Sequence, residues 1–336
     1  MTYRIDVTGT GIGFPCEPGE TVLDAAERAG YTIPYSCRKG VCSTCEGGLT
    51  SGRAEVRGRG TAEGPVDAVL LCQTRPCSDL GIEPQRIAER AAPERRTVTA
   101  KVHRVTRPAA DVVVLQLRLP TGQRARFTAG QYLRVLLPDG DSRNYSLANP
   151  PHQNDSVHLH IRVVPGGRFS EGVLACLDKG DQLTVELPYG EFSLDTESDR
   201  PAVMVATGTG FAPVKSIVEE QIKRRGGRPV HLYWGGRREE DLYLRDLAAG
   251  WAARAPWFTF TPVLSEPDPG WNGRSGWVHR AVLEDHPDLS GHEVYACGSP
   301  AMTGAAQEDF IILGGLSPER FHCDAFVPSG EPVPAA

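Results

Sequence analysis

The chain has 336 residues, nine cysteines and a formal net charge of −6, with 40% hydrophobic and 23% charged residues. That length suits two or three domains. The mild charge argues against a nucleic-acid partner, and no apolar run of about 18 residues is present to cross a membrane.

The first segment runs to about Pro84. YRIDVTG and IGFPCEP alternate like a hairpin, and a short helix is expected from Thr21, as N-cap, to Ala29, with Gly30 as its stop. MTYRIDV reads straight into a strand without a secretory signal, so a reducing cytoplasm is the expected home of nine cysteines. Cys37, Cys42 and Cys45 stand as C-x4-C-x2-C, and Cys72 closes VLLC. This is the plant-type spacing for a [2Fe–2S] cluster, a one-electron carrier. Gly40, Gly47 and Gly48 are read as letting backbone N–H groups approach the sulfurs. A structural zinc would favour two C-x2-C knuckles, and only Cys42 and Cys45 form one; a disulfide framework needs a secreted context. Residues 1–85 carry eight Lys/Arg against eleven Asp/Glu, so the segment is only weakly acidic, and Arg38 and Lys39 lie within the cysteine loop.

Residues 85–96 are polar and proline-punctuated and read as a linker. From Thr97 to about Phe192, short runs such as VVVLQLRL and SVHLHIRVV predict an antiparallel barrel, with one short helix at about 169–177. After Asp199, strands and helices alternate, which predicts a doubly wound parallel sheet with ligands beyond the carboxyl ends of its strands. A Pro/Ala tail follows Pro328.

Three motifs fall on these elements. Arg143-Asn144-Tyr145-Ser146 follows a strand, offering charge, a ring to stack and a hydrogen bond to a heterocycle. Gly166-Gly167-Arg168-Phe169-Ser170 opens the short helix, whose N-terminus suits a diphosphate. Thr207-Gly208-Thr209-Gly210, ahead of Pro213, forms a phosphate-binding turn lacking the third fingerprint glycine. Cys297-Gly298-Ser299-Pro300-Ala301-Met302 ends a later strand at the same sheet edge, and Cys297 is either a core thiol or a soft group against a nicotinamide.

In this order, CRKGVCSTC, RNYS, PGGRFS, TGTGFAP and CGSPAM resemble the ferredoxin–NADP reductase superfamily with a fused ferredoxin module. The chain is similar to the reductase components of bacterial aromatic-ring-hydroxylating oxygenases, of terephthalate type through SRNYSLANPPH and GTGFAPVKS. QTRPCSDLGI also resembles reductases of deoxysugar dehydratases. The resemblance implies a multidomain chain: an α+β plant-type ferredoxin (β-grasp) over 1–88, an antiparallel β-barrel FAD domain over 96–196, and an α/β nucleotide-binding domain over 199–336. It implies FAD held by Arg143, Asn144, Tyr145, Ser146, Arg162, Gly167, Arg168, Phe169 and Ser170. A nicotinamide nucleotide would lie on Thr207–Gly210, Pro213, Cys297, Gly298, Ser299, Pro300 and Met302. Ser146 and Cys297 would border the hydride path, and Phe326, otherwise a core aromatic, would cover the flavin. Ser265 and Glu266 favour NADH, since a carboxylate repels a 2′-phosphate, while Arg237 and Arg238 point towards NADPH. The span from Cys45 to Cys72 reads as slightly short, with a loop trimmed near 58–64. The implied partner is a terminal Rieske dioxygenase docking near the cluster loop through Arg38 and Lys39. Alternatives are a di-iron monooxygenase, a cytochrome P450 or a deoxysugar dehydratase as acceptor, or a flavin and cluster sensor or carrier.

Overall fold

The structure, a computed structural model, describes residues 2–89 and 95–327; the middle of the expected linker and the Pro/Ala tail lie outside the described residues. The chain divides between Ala92 and Pro93 into two compact units.

In the first unit, Tyr3–Val7 pairs antiparallel with Gly13–Cys16 and parallel with Leu80–Pro84, and Glu46–Ser51 and Val66–Leu70 complete a five-stranded sheet. Helix Val22–Arg28 starts as expected: the Thr21 hydroxyl accepts the Asp24 N–H, leaving the apolar face of Val22, Leu23, Ala25 and Ala26 buried. Such a cap is worth about 1 kcal/mol. Two expectations change. The linker starts later than residue 85, because Ala88–Glu89 pairs with Tyr31–Thr32; two residues are too few to show a strand period. The stretch read as a trimmed loop is a hairpin in which Gly60–Glu63 pairs with Arg53–Val56.

The second unit contains two sheets. The first is antiparallel, in the order Ser142–Ser146, Tyr132–Leu136, Gln182–Tyr189, Arg96–Ala109, Val112–Arg118, Ser156–Arg162. Leu147, just past one edge strand, bridges Leu159 of the other and closes the barrel. Val157, Leu159 and Ile161 point into its core as their alternation predicts. The expected helix at 169–177 is instead a π-helical turn, Arg168–Val173, running into a 3-10 turn, Leu174–Cys176.

The second sheet is parallel, in the order Arg274–Ser275, Phe258–Leu264, Val230–Gly236, Ala202–Thr207, Glu293–Gly298, Phe321–Ala325. Barrel and sheet share one unit. Phe192 and Leu194 pack into the sheet's core, Ser216 donates to the Asn149 carbonyl at 2.8 Å, and the Asp195 N–H donates to the Tyr295 hydroxyl at 3.0 Å.

Burial lowers the pKa of His160 to about 3 and those of His158 and His231 to about 4. All three are therefore neutral in the folded chain at pH 5, whereas the unfolded chain, near 6.5, takes up protons there. Their contribution is complete above pH 6.5 and is lost as pH falls towards 4, on the order of 2 kcal/mol at pH 5 for the fully buried His160. Thermal unfolding should give a Tm that is level from pH 8 to 6.5 and several degrees lower at pH 5. A Tm that holds or rises at pH 5 would contradict this.

Candidate functional site

The cysteine loop joins Tyr31–Thr32 to Glu46–Ser51, and Cys72 follows Val66–Leu70. All four cysteines are buried. Their thiols associate in pairs, Cys37 with Cys42 and Cys45 with Cys72. The neighbouring sulfur and burial push the Cys37 and Cys45 thiols up. Arg38, Gly40 and Ser43 adopt left-handed φ values of 52°, 79° and 52°. This winding turns the Lys39 main-chain amide onto Cys37, to which it donates at 3.3 Å, and from outside the loop the Gln73 side-chain amide donates through Nε2 to Cys72 at 3.4 Å. Among the described residues, no three His, Cys, Asp or Glu side chains are arranged around a single metal ion. Two sulfur pairs under N–H donors fit a two-iron cluster, with one pair for each iron.

One reading of the loop is corrected and another gains a second reason. A Cβ on Gly47 would lie 2.8 Å from the Pro84 Cα, so strand packing also requires that glycine, and Gly48 lies beside Glu83 in the same sheet. Arg38 is not a docking cation. Its side chain is 9% exposed, ion-paired to Asp24 and Glu27 of the helix, and lies 4.1 Å above the Tyr35 ring. Lys39 is exposed.

In the barrel, Arg143 and Tyr145 share one face of their strand, and Asn144 and Ser146 the other. Arg143 pairs with Asp141 at 2.6 Å. Tyr145 leans on Phe169 at 5.5 Å; Phe169 is 1% exposed, so it supports that ring from the core. Ser146 is 7% exposed at the strand end. Gly167 precedes the π-turn, Arg168 pairs with Asp139, and the Ser170 hydroxyl accepts the Val164 N–H at 3.1 Å, bracing the Gly166-Gly167 turn.

In the parallel sheet, Gly208–Gly210 forms a 3-10 turn leading into helix Phe211–Arg224, with Pro213 buried in its first turn. A Cβ on Gly210 would lie 2.2 Å from the Cys297 carbonyl oxygen, and one on Gly298 2.2 Å from Thr207 Oγ1. The two motif turns therefore touch. Cys297 is fully buried, its thiol donating to the Gly210 carbonyl at 2.8 Å, and burial pushes its pKa well up. Ser299 caps helix Pro300–Ile312 by accepting the Met302 N–H, and Met302 is buried. Phe326, half-buried, donates its N–H to the Gly298 carbonyl at 2.7 Å. Arg162 reaches this turn from the barrel: its guanidinium carbon is 3.3 Å from where a Gly208 Cβ would stand. Ser265 and Glu266 are exposed at the next strand end but one, their N–H groups bonded to the carbonyls of Gly236 and Arg237.

Sequence reasoning missed several residues. Asp324, 5% exposed, is the register partner of Cys297; a lone acid in FHCDAF was the available signal. Trp234, Tyr243 and His160 beneath the nucleotide turn carried none, being ordinary apolar or strand positions.

Comparisons with known proteins agree with this layout. The chain matches the 2Fe-2S iron-sulfur cluster binding domain over residues 5–77, the oxidoreductase FAD-binding domain over 99–194 and the oxidoreductase NAD-binding domain over 204–308. It is 41% identical over 330 residues to reductase component 2 of a Comamonas terephthalate 1,2-dioxygenase, covering 97% of this chain and 98% of that one. It is 38% identical to the CDP-6-deoxy-L-threo-D-glycero-4-hexulose-3-dehydrase reductase of Yersinia pseudotuberculosis, covering 98% and 100%. The crystal structure of an Amycolatopsis cytochrome P450 reductase superposes with a TM-score of 0.79 at 34% identity, covering 97% of this chain and 99% of that one. Fold and site together define a flavin iron–sulfur oxidoreductase that uses FAD, a nicotinamide nucleotide and a [2Fe–2S] cluster. The chain belongs to the ferredoxin–NADP reductase superfamily, in the ferredoxin-fused group that includes the reductase components of oxygenases.

Replacing Arg38 by Leu would strip the buried Glu27 of this ion pair, a loss of about 3–5 kcal/mol for a buried bridge. Arg38→Leu should lower the iron content per chain and the Tm of the first unit while FAD content stays unchanged. Normal iron content would show that the ion pairs do not hold the loop.

Proposed function

We propose that the chain passes electrons from NADH through FAD and the [2Fe–2S] cluster to a terminal aromatic-ring-hydroxylating dioxygenase of the Rieske, terephthalate type. The observation that carries the reading is the contact of the Thr207–Gly210 and Cys297–Gly298 turns, with Phe326 bonded to Gly298, in the same compact unit as the Arg143–Ser146 strand. When bound, nicotinamide gives two electrons as hydride to the flavin, which releases them singly to the cluster. The residues supply placement. Arg143, Arg168 and the N–H groups after Gly167 face FAD's diphosphate, the GTG turn takes the nucleotide's diphosphate, and Ser146, Cys297 and Phe326 border the reacting rings.

The choice of acceptor rests on the Comamonas relative. A di-iron monooxygenase, a P450 and a deoxysugar dehydratase are the alternatives; relatives are named as reductases of a phenol 2-monooxygenase, a cytochrome P450 and a deoxyhexulose dehydrase. A sensor that merely binds flavin and cluster is disfavoured by so complete a hydride path. Working domain limits are 1–88, 96–196 and 199–336. No helix among the described residues is long and apolar enough to cross a membrane, and nine cysteines without a disulfide among them support a cytoplasmic setting.

Anaerobic titration with NADH and, in parallel, NADPH tests the relay. NADH should bleach the flavin and then the cluster bands, at near one FAD and two irons per chain, with NADPH at least tenfold less effective. Absence of reduction by either nucleotide would revive the sensor. Docking is assigned to the cluster loop at Lys39. Lys39→Glu should slow transfer to the oxygenase several-fold while NADH oxidation with ferricyanide keeps its rate; equal slowing in both assays would remove Lys39 from the docking surface.

A further inference from the structure

Three aromatic rings lie beneath the nucleotide turn. Trp234 stacks on Phe211 at 3.9 Å and 6°, and its indole N–H donates to the Gly208 carbonyl at 3.1 Å. Tyr243 meets the Trp234 ring edge-on at 5.3 Å and 89°. The Tyr243 hydroxyl is hydrogen-bonded, at 2.8 Å, to Nδ1 of His160, a buried residue on the barrel strand Ser156–Arg162.

The place of that strand gives the bond its consequence. Leu159, next to His160, bridges Leu147, the residue after Ser146. Arg162, two residues on, reaches Gly208. His160 thus stands between the end of the flavin strand and the nucleotide turn. Other bonds between barrel and sheet, from Lys215 to the Ala148 carbonyl and from Ser216 to the Asn149 carbonyl, tie a loop to the long helix. The Tyr243–His160 bond ties the strand itself to the stack under the turn.

We propose that Tyr243 and His160 are positioning residues for hydride transfer: their hydrogen bond sets the spacing between the barrel strand beside the flavin and the turn that binds the nicotinamide nucleotide. The inference rests on the hydride path described above. Phenol and imidazole suit the task, because short, buried, ring-bearing side chains leave little slack. A misplacement near 1 Å costs on the order of 100-fold in rate, so a small drift of strand against turn is enough to matter. Burial keeps His160 neutral above a pKa of about 3, so the bond's character does not change near neutral pH.

Tyr243→Phe keeps the ring and removes the hydroxyl, His160→Leu removes the partner, and His160→Asn keeps a polar atom near the Nδ1 position. Each is studied as the full chain loaded with FAD and cluster. Three quantities are measured: the rate of flavin bleaching on rapid mixing with NADH, the change in flavin absorbance on adding NAD+, and the affinity for ADP-ribose, which has the diphosphate but no nicotinamide. Y243F and H160L should each bleach about tenfold more slowly and show a smaller NAD+-induced change, with ADP-ribose affinity within twofold of wild type. The double variant should be no slower than either single one, and H160N should restore most of the rate. Unchanged bleaching in Y243F, a parallel fall in ADP-ribose affinity, or loss of FAD accounting for the whole effect would each overturn the proposal. A wild-type chain that NADH does not reduce would overturn the parent reading and this one with it.

Discussion

Two main-chain turns approach so closely that neither admits a Cβ, and the arrangement of the nucleotide site depends on that contact. Gly210 lies against the carbonyl of Cys297, and Gly298 against the side chain of Thr207. The strands feeding the turns are neighbours in the sheet, yet the helices that follow pack into different cores, Phe211–Arg224 with Trp234 and Trp251 and Pro300–Ile312 with Val294 and Leu316. Parting to opposite faces leaves a crevice at the carboxyl edge with a helix N-terminus on each side, the expected seat for a dinucleotide. Phe326 is held there through the Gly298 carbonyl. The position of a residue 116 places after Gly210 is thus fixed by what two glycines permit.

A second regularity links the cluster loop with the other sites. At each of them a side chain holds the main chain from behind. Arg38 holds the cysteine loop onto the helix by ion pairs to Asp24 and Glu27. Ser170 ties the glycine turn to Val164, and Trp234 holds the Gly208 carbonyl. Because the peptide unit is trans and planar, fixing the Gly208 carbonyl towards Trp234 turns the Thr209 N–H the opposite way. Buried anchors therefore determine which donors a ligand meets.

The cysteine spacing, the strand alternation of Val157, Leu159 and Ile161, and the strand–helix alternation after Asp199 were legible because each is a local period or a fixed offset. What escaped was tertiary. Ala88–Glu89 is too short to show a period and is a strand only because Tyr31–Thr32 lies beside it. Arg38 resembles a solvated charge until Asp24 and Glu27, on a helix 14 and 11 residues earlier, are brought against it. Gly47, two residues after Cys45, is also required by the close approach of Pro84, which its place in the sequence does not reveal. His160 alternates out of step with the barrel core and reads as a polar outward position; only the presence of Tyr243 makes it buried and bonded.

The same limit applies to nucleotide preference, where the charges lie about 30 residues apart in sequence. Glu266 alone argues against a 2′-phosphate, and Arg237 with Arg238 argues for one. The bond from the Glu266 N–H to the Arg237 carbonyl puts both on one corner, so their charges must be weighed together. Asp241 accepts the main-chain N–H groups of both arginines, and Glu239 and Glu240 lie exposed between them and it. Arg245 is ion-paired with Glu239 and offsets that carboxylate. Two arginines are still set against the three carboxylates of Glu240, Asp241 and Glu266 in this stretch of chain. If the proposed nucleotide site places the ribose here, a phosphate carrying further negative charge gains nothing from such a corner, whereas a free 2′-hydroxyl would donate to the Glu266 carboxylate. That balance is the physical support for NADH as the electron donor.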